Sequence, residues 1–369
     1  MNFDQSKTRH LSLLLRLYAC LSPSNPNQIE SPPFPPNQWL CRHDNQVELF
    51  NLLVIDHPLL KNQGKNWKIS FWKRVISAIE KAFLEIEEIQ EEEIDERILE
   101  YYISLQSSTI EPSLEANLKA TEILTYFYGG SKDCTSWRRI NLLENKLSIG
   151  NGTTGLKSWG ASVCLANYLI LHPEILDQVA ILELGSGTGL LGIVAHQLNP
   201  ANAVYLTDCN PLVLERLKQN INLNPTPFGQ ENLMVMPLDW NSDSHDSYQN
   251  RLTLTPQPQL ILAADVVYDP SLILGLVLTI KNALELSMAI NSKETSKNAN
   301  VALICVTARD PTTWQLFITV CQEEHLKIDL VDLDEMLNDD KINPKGILIP
   351  NNNLDQQPNG QFKLIKLTL

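Results

Sequence analysis

The chain has 369 residues, 43% of them hydrophobic, which is enough for a large core and more than one domain. Its formal net charge is −14 and no basic run is visible, which speaks against a general nucleic-acid binder relying on clustered Lys and Arg. Seven scattered cysteines (20, 41, 134, 164, 209, 305, 321) lack any C-x-x-C pair, so they offer no zinc framework and read as reduced thiols.

Apolar spacing and breaks at Pro and Gly predict helices over 7–21, 45–56, 67–90, 93–107 and 113–128, making residues 1–135 a helical N-terminal domain. The apolar segment 11–18 is interrupted by Arg16 and reads as an amphipathic helix, with no convincing cleavage pattern for a signal peptide. Pro23 to Pro36 is proline-rich and reads as an extended loop. Between Glu85 and Glu100 the acidic residues alternate with Ile86, Ile89, Ile94, Ile98 and Leu99, the pattern of a solvated acidic helix face. No apolar run approaches the ~18 residues of a membrane helix, so no membrane span is expected and the expected compartment is the cytoplasm.

Residues 136–369 form the second expected domain. Strands are predicted near 179–184, 203–208, 233–239, 260–264, 301–308, 327–333 and 361–369. Helices are predicted at 189–198, 211–223, 271–289 and 312–325, with a weak or absent element near 243–252. Pro211 and Pro270 suit helix starts. The alternation implies an α/β fold, a mainly parallel seven-stranded sheet with helices on both faces. Only the polar loop 337–360 joins the last two strands, too little for a buried parallel crossover, so they should form a C-terminal antiparallel hairpin. The polar stretch 292–300 reads as a plain loop.

The most informative stretch is Val179-Ala-Ile-Leu-Glu-Leu-Gly-Ser-Gly-Thr-Gly-Leu-Leu-Gly192, an apolar strand running into three alternating glycines and a helix. Gly185, Gly187 and Gly189 put no Cβ between the backbone and a ligand. Asp208 closes the next apolar run, where a carboxylate can meet a ribose diol, so a nucleoside-containing cofactor is expected. Residues 187–192 also match the dinucleotide fingerprint G-x-G-x-x-G, but no second mononucleotide-binding half follows. With Glu183 the pattern becomes E-x-G-x-G-x-G, which resembles the first motif of class I S-adenosylmethionine-dependent methyltransferases.

Further phrases follow in order: Gly152-Thr-Thr-Gly-Leu-Lys-Ser-Trp159, Leu238-Asp-Trp240, Ala263-Ala-Asp-Val-Val-Tyr268, Val306 to Phe317, and the terminal Lys366-Leu-Thr-Leu369. Together with the glycine motif they resemble the seven-β-strand protein-lysine methyltransferases, and among these the branch that modifies elongation factor 2. The likeness runs over about 150–320 and the extreme C-terminus, and is weak over the first 135 residues. It implies a Rossmann-like class I fold, S-adenosyl-L-methionine as cofactor and elongation factor 2 as protein partner, with a lysine methylated up to three times. The cofactor residues it implies are Trp159, Gly185 to Gly187 with Ser186, Asp208, Trp240 and Ala264, and Gly189 completes the turn.

The chemistry of each residue suits such a role. Glu183 can assist the cationic amine of the methionine portion, and Asp208 can accept from both ribose hydroxyls. Trp240 can stack on the adenine, and Trp159 can roof the site. Asp265 and Tyr268, after the fourth strand, are the candidate catalytic pair. A lysine, with an ordinary pKa of about 10.4, must lose its proton before it attacks the sulfonium methyl. Asp265 is therefore better cast as an orienter of the amine than as a strong base. Tyr268 offers a ring face for the methylammonium product, worth ~0.5–2 kcal/mol.

Plainer readings compete with these: Asp265 as a cap for the helix that follows, Tyr268 and Trp240 as core residues. Trp137 and Trp314 read as packing residues. The seven histidines show no metal spacing, and neither a G-x-S-x-G elbow nor a Walker lysine is present, so no metal site is expected. One departure from the family stands out: its W-D-A-A is Trp159-Gly160-Ala161-Ser162 here, so the acidic residue is missing. The rival functions are methylation of another protein acceptor and a non-catalytic interaction module of the same fold. With no heptad repeat in view, a monomer is expected.

Overall fold

The computed structural model describes residues 11, 14–16, 18–20, 37–56, 60, 64–85, 93–107, 121–129, 137–147, 152–225, 229–241, 254–290, 300–333, 348 and 361–369. The chain divides into two compact units, 1–148 and 149–369.

The first unit contains α1 (Asn37–Leu40), α2 (His43–Phe50), α3 (Lys65–Glu85) and α4 (Glu96–Ser107), and α2 runs on as a π-helical turn over Asn51–Ile55. Its core follows from helical spacing. On α3 the side chains of Trp67, Phe71, Val75 and Ile79, each four residues apart, are buried in one stripe with Trp72. They meet Leu14, Leu15, Tyr18, Leu40, Leu49, Leu53 and Ile98, with Tyr18 edge-on to Phe71 at 4.6 Å. Asp95 opens α4 by accepting from the Arg97 main-chain N–H at 2.9 Å.

The helix predicted over 113–128 is not what forms. Its described part, Thr121–Tyr128, is a strand, β1, paired antiparallel with β2 (Arg138–Asn145) from Thr121↔Asn145 to Tyr128↔Arg138. The run Thr-Glu-Ile-Leu-Thr-Tyr-Phe-Tyr is rich in β-branched and aromatic residues that prefer a pleated surface, and apolar spacing alone misread it. Phe127 and Trp137 pack with the helical core, so this hairpin belongs with the helices and the unit ends at 148 rather than at 135.

The second unit is an α/β sandwich around a seven-stranded sheet. In chain order come α5 (Gly160–Leu171), β3 (Ile181–Leu184), α6 (Leu190–Leu198), β4 (Val204–Asp208), α7 (Pro211–Asn222) and β5 (Leu233–Pro237). Then follow β6 (Leu260–Ala264), α8 (Ile273–Ile290), β7 (Val301–Ala308), α9 (Pro311–Glu323), β8 (Lys327–Val331) and β9 (Gln361–Thr368). All seven predicted strands are present, in the order β5-β4-β3-β6-β7-β9-β8. The first five run parallel, and β9 is antiparallel to both β7 and β8, as expected from the polar sequence that joins the last two strands.

One face of the sheet, with Leu182, Leu184, Ile261, Ala263, Ile304 and Val306, packs on Leu276, Val277 and Ile280 of α8 and Phe317 of α9. Helices α5, α6 and α7 lie against β6 and β7, β4, and β4 and β5 respectively. With cover on both sides, β3 buries all four of its residues. From β3 the chain first builds outward through β4 and β5, then returns to lay β6 on the other side. That reversal opens a crevice at the carboxyl ends of β3 and β6.

Two expectations need correction or restriction. By length and composition Pro270–Ile290 would pass for a membrane span, at a mean hydropathy of 1.6, although no such run was expected. Its apolarity comes from the side chains it buries in the core, among them Ile273, Leu276, Ile280 and Leu284, while Lys281 pairs with Glu324 at 2.9 Å. The predicted loop 23–36, the weak element at 243–252 and, apart from Asn300 and Leu348, the loops 292–300 and 337–360 lie outside the described residues.

Candidate active site

The crevice is shaped by the turn between β3 and α6. Gly185, Gly187 and Gly189 take φ values of +65°, +53° and +86°, where a side chain is strained. At Gly187 a Cβ would also stand 3.2 Å from the Gly155 carbonyl oxygen. The turn is tied down on three sides. Ser186 donates its N–H to the Thr207 carbonyl at 2.7 Å, and its hydroxyl accepts from the Thr207 N–H at 3.0 Å. The Thr188 hydroxyl shares a 2.6 Å hydrogen bond with Ser158, and Asn220 of α7 donates to the Thr188 carbonyl at 2.9 Å.

A cavity of about 370 Å³ lies on this turn, and it brings together Trp159, Glu183, Gly185, Ser186, Gly187, Asp208, Trp240, Ala264, Asp265 and Tyr268. Gly189 lies off the cavity wall. It precedes the first residue of α6 as its left-handed N-cap, with Leu217 and Ile193 packed where a Cβ would go. Ser186 lines the cavity, but its hydroxyl is committed to β4, so its part is to hold the turn in place.

Glu183 sits inside β3 rather than at its very end, opposite Leu206 and Leu262. Burial pushes its carboxyl up to about 8, against hydrogen bonds from Ser186 and the Gly192 main chain, and its Oε2 has no partner. Asp208 ends β4, with Oδ2 accepting from the Gly187 N–H at 3.4 Å and Oδ1 from the Asn210 N–H at 3.0 Å. Burial raises its pKa too, while these main-chain donors pull it down. The Trp240 ring lies about 3.5 Å from where a Gly185 Cβ would be, and its Nε1–H is buried without a partner. It both packs on the core and faces the cavity, so the two readings of this residue are not exclusive. Trp159 donates from Nε1 to the Thr154 carbonyl at 3.1 Å, and the Arg309 guanidinium lies 5.1 Å from its ring centroid.

Asp265 follows β6 with φ +56°, unusual for a residue with a side chain. Its Oδ1 accepts from the Thr307 N–H at 3.0 Å, and its Oδ2 from the Thr307 hydroxyl at 3.1 Å and from Arg309 at 3.2 Å. It does not cap the next helix. Asp269 does so, accepting from the Ser271 N–H at 2.9 Å. Tyr268 is 53% exposed and lines the cavity, so it is not a core residue. Its hydroxyl pKa is raised, by partial burial first, against a hydrogen bond to Thr154.

Sequence reading missed Thr307 and Arg309, which lie more than forty residues beyond Asp265. Only the parallel pairing of β6 with β7, which sets their carboxyl ends side by side, brings them together. Thr154, Gly155 and Ser158 belong to the phrase 152–159, and spacing alone does not seat Gly155 and Ser158 over the glycine turn. The Gly160 departure now has a packing account: a Cβ there would stand 2.7 Å from the Phe362 ring. Phe362 is the register partner of Thr307, so β9 delivers an aromatic ring to the start of α5. Among the described residues no group of His, Cys, Asp and Glu could hold a metal ion.

The donor set fits S-adenosylmethionine. Unpartnered Glu183 Oε2 suits a cationic amine, the strand-end Asp208 a ribose diol, and the cavity face of Trp240 a flat base, above a turn that only glycine can make. The comparisons with known proteins agree. Residues 141–304 match the model of a family described as lysine methyltransferase. A protein-lysine N-methyltransferase EEF2KMT of Bos taurus is 31% identical over 198 residues, 49% of this chain and 55% of that protein. A protein-lysine N-methyltransferase EFM3 of Chaetomium thermophilum is 23% identical over 289 residues, 78% of this chain and 82% of that protein. A calmodulin-lysine N-methyltransferase of Arabidopsis thaliana is 33% identical over 149 residues, 40% of this chain and 46% of that protein. The match to the bovine relative thus spans little more than half of that protein's length.

Two measurements probe this geometry. Because Glu183 holds its proton more tightly in the folded chain, its contribution to stability is full below the ordinary carboxylate range and is lost as pH rises through about 8. The thermal midpoint of the ligand-free protein should fall between about pH 4.5 and 8 and level off above, and Glu183→Gln should flatten that fall. Identical pH dependence in both proteins would refute the buried-carboxyl account. Gly160→Asp should cost about 1–3 kcal/mol by denaturant unfolding, from overpacking against Phe362, and Phe362→Ala should recover part of it in the double variant. A Gly160→Asp protein as stable as wild type would contradict the packing account.

Proposed function

We propose, from the lysine methyltransferase core in residues 141–304, that the chain is an S-adenosylmethionine-dependent protein-lysine N-methyltransferase whose acceptor is a lysine of elongation factor 2, carried up to trimethylation. The observation that carries the reaction class is that Asp265 and the exposed Tyr268 share one cavity with the glycine turn and Asp208. The acceptor rests on the motifs from 152 to 317 and on relatives named EEF2KMT. The relative named for calmodulin is the reason to keep a second protein acceptor in the test.

When bound, the cofactor supplies a methyl group on an electrophilic sulfonium. The protein's own part is placement. The Gly185–Gly187 turn, Glu183, Asp208, Trp240, Ala264 and Trp159 would hold the cofactor, with Asp208 prearranged by the N–H groups of Gly187 and Asn210. Asp265, fixed by Thr307, would take a hydrogen bond from the incoming amine and set its direction. The half-exposed Tyr268 ring would face the methylammonium as it forms, a contact of ~0.5–2 kcal/mol. The proton leaves the amine for water before attack, since the ammonium has no lone pair. Most of the acceleration is then positional. The N-terminal unit is proposed to recognise the protein acceptor, in the cytoplasm.

Purified protein, S-adenosylmethionine and unmethylated elongation factor 2 should yield a methyl-lysine detectable by mass spectrometry, with calmodulin as the parallel acceptor. Asp265→Ala should lower the rate at least about a hundredfold, the loss of positioning that such groups supply. Methylation of calmodulin alone would overturn the acceptor, and no methylation of any lysine would overturn the reaction.

A further inference from the structure

We infer that Arg309 is a positioning residue that cancels the charge of Asp265, so that the target lysine can sit in the cavity as a free amine; this rests on the methyltransferase reading above. The Asp265 side chain is 7% exposed and Arg309 39%, so the carboxylate is sheltered and the guanidinium closes its outer side. A carboxylate has about four acceptor positions. Thr307 N–H, the Thr307 hydroxyl and Arg309 occupy three, which leaves one for an incoming N–H on the cavity side.

A sheltered carboxylate without a counter-cation would hold an arriving lysine in its charged form and so oppose the reaction. With Arg309 at 3.2 Å the pair carries no net charge, yet the acceptor position remains. The guanidinium is itself held by the Trp159 ring 5.1 Å away, on the segment that roofs the site. Other titratable groups face the same cavity: Lys157, Glu183, Asp208, Cys209, Asp239 and Tyr268. Behind Asp265, Cys305 of β7 is buried and accepts the Asp265 N–H at its carbonyl, 2.9 Å away. Burial favours the uncharged forms of Glu183 and Asp208, and among the described ion pairs the cation on Asp265 is Arg309. Removing a unit charge at this range raises a bound amine's pKa by on the order of one unit.

The test uses the full chain and a bisubstrate ligand, an adenosine bearing the methionine chain and an aminoalkyl chain on a nitrogen in place of sulfur. A matched ligand with a plain alkyl chain is the reference. Calorimetry in two buffers of different ionisation enthalpy counts protons released at pH 7.5. On wild type the aminoalkyl ligand should release roughly one proton more than the alkyl ligand, since the amine must bind neutral. Arg309→Met should lower that excess measurably, toward about half where the bound amine's pKa in wild type lies at about 6.5, Arg309→Lys should restore it, and so should Asp265→Asn combined with Arg309→Met. A merely structural role would change affinity without changing the proton count. Equal release by wild type and Arg309→Met would overturn the inference alone. No binding of either ligand to wild type would overturn the methyltransferase reading, and this inference with it.

Discussion

The second unit depends on one backbone constraint, the left-handed turn that joins β3 to α6. Three positive-φ glycines in five residues let the chain reverse over the end of β3, and Gly185 and Gly187 meet the cavity as bare backbone. Everything near it is arranged to keep that turn still. Ser186 is bonded to β4, Asn220 of α7 holds the Thr188 carbonyl, and Ser158 ties down the roofing segment. Fixing three glycines costs conformational entropy, and buried hydrogen bonds, each worth ~0.5–1.5 kcal/mol net, offset it. Pre-arrangement is what lets the Gly187 N–H and Asp208 stand ready together, 3.4 Å apart.

A second constraint acts across the sheet. The return of β9 between β7 and β8 sets Phe362 opposite Thr307, and Thr307 is the residue that grips Asp265. Gly160 exists in this setting because the Phe362 ring occupies the volume of any Cβ there. Residues from α5, β6, β7 and β9 thus meet at one place, with Arg309 stacked on Trp159 as the outer clasp. The space beside Gly160 is taken by an aromatic ring and not by a void.

Much of this was legible in the sequence, for physical reasons. Seven strands and their helices announced themselves through apolar runs and proline starts, because a doubly covered sheet needs continuous apolar strands. The glycine turn, Asp208, Asp265 and Tyr268 are local features, each at a strand end, and the cavity gathers them. What could not be read was contact between distant segments: Thr307 and Arg309 on Asp265, or Phe362 on Gly160. The error over 113–128 has the opposite origin, since Thr121–Tyr128 is apolar enough for either periodicity and tertiary pairing decided it. A motif shows spacing but not which face of the turn is lined by each glycine, and Gly189 stands at the start of α6.

The central claim is that the glycine turn at residues 185–187 seats S-adenosylmethionine. It is tested most directly by calorimetric binding of that molecule to wild type and to Gly187→Ala, with circular dichroism to confirm that both are folded. A Cβ at φ +53°, 3.2 Å from the Gly155 oxygen, should weaken binding at least about tenfold, or ~1.4 kcal/mol, in a folded protein. Equal affinity for the two proteins would contradict the account.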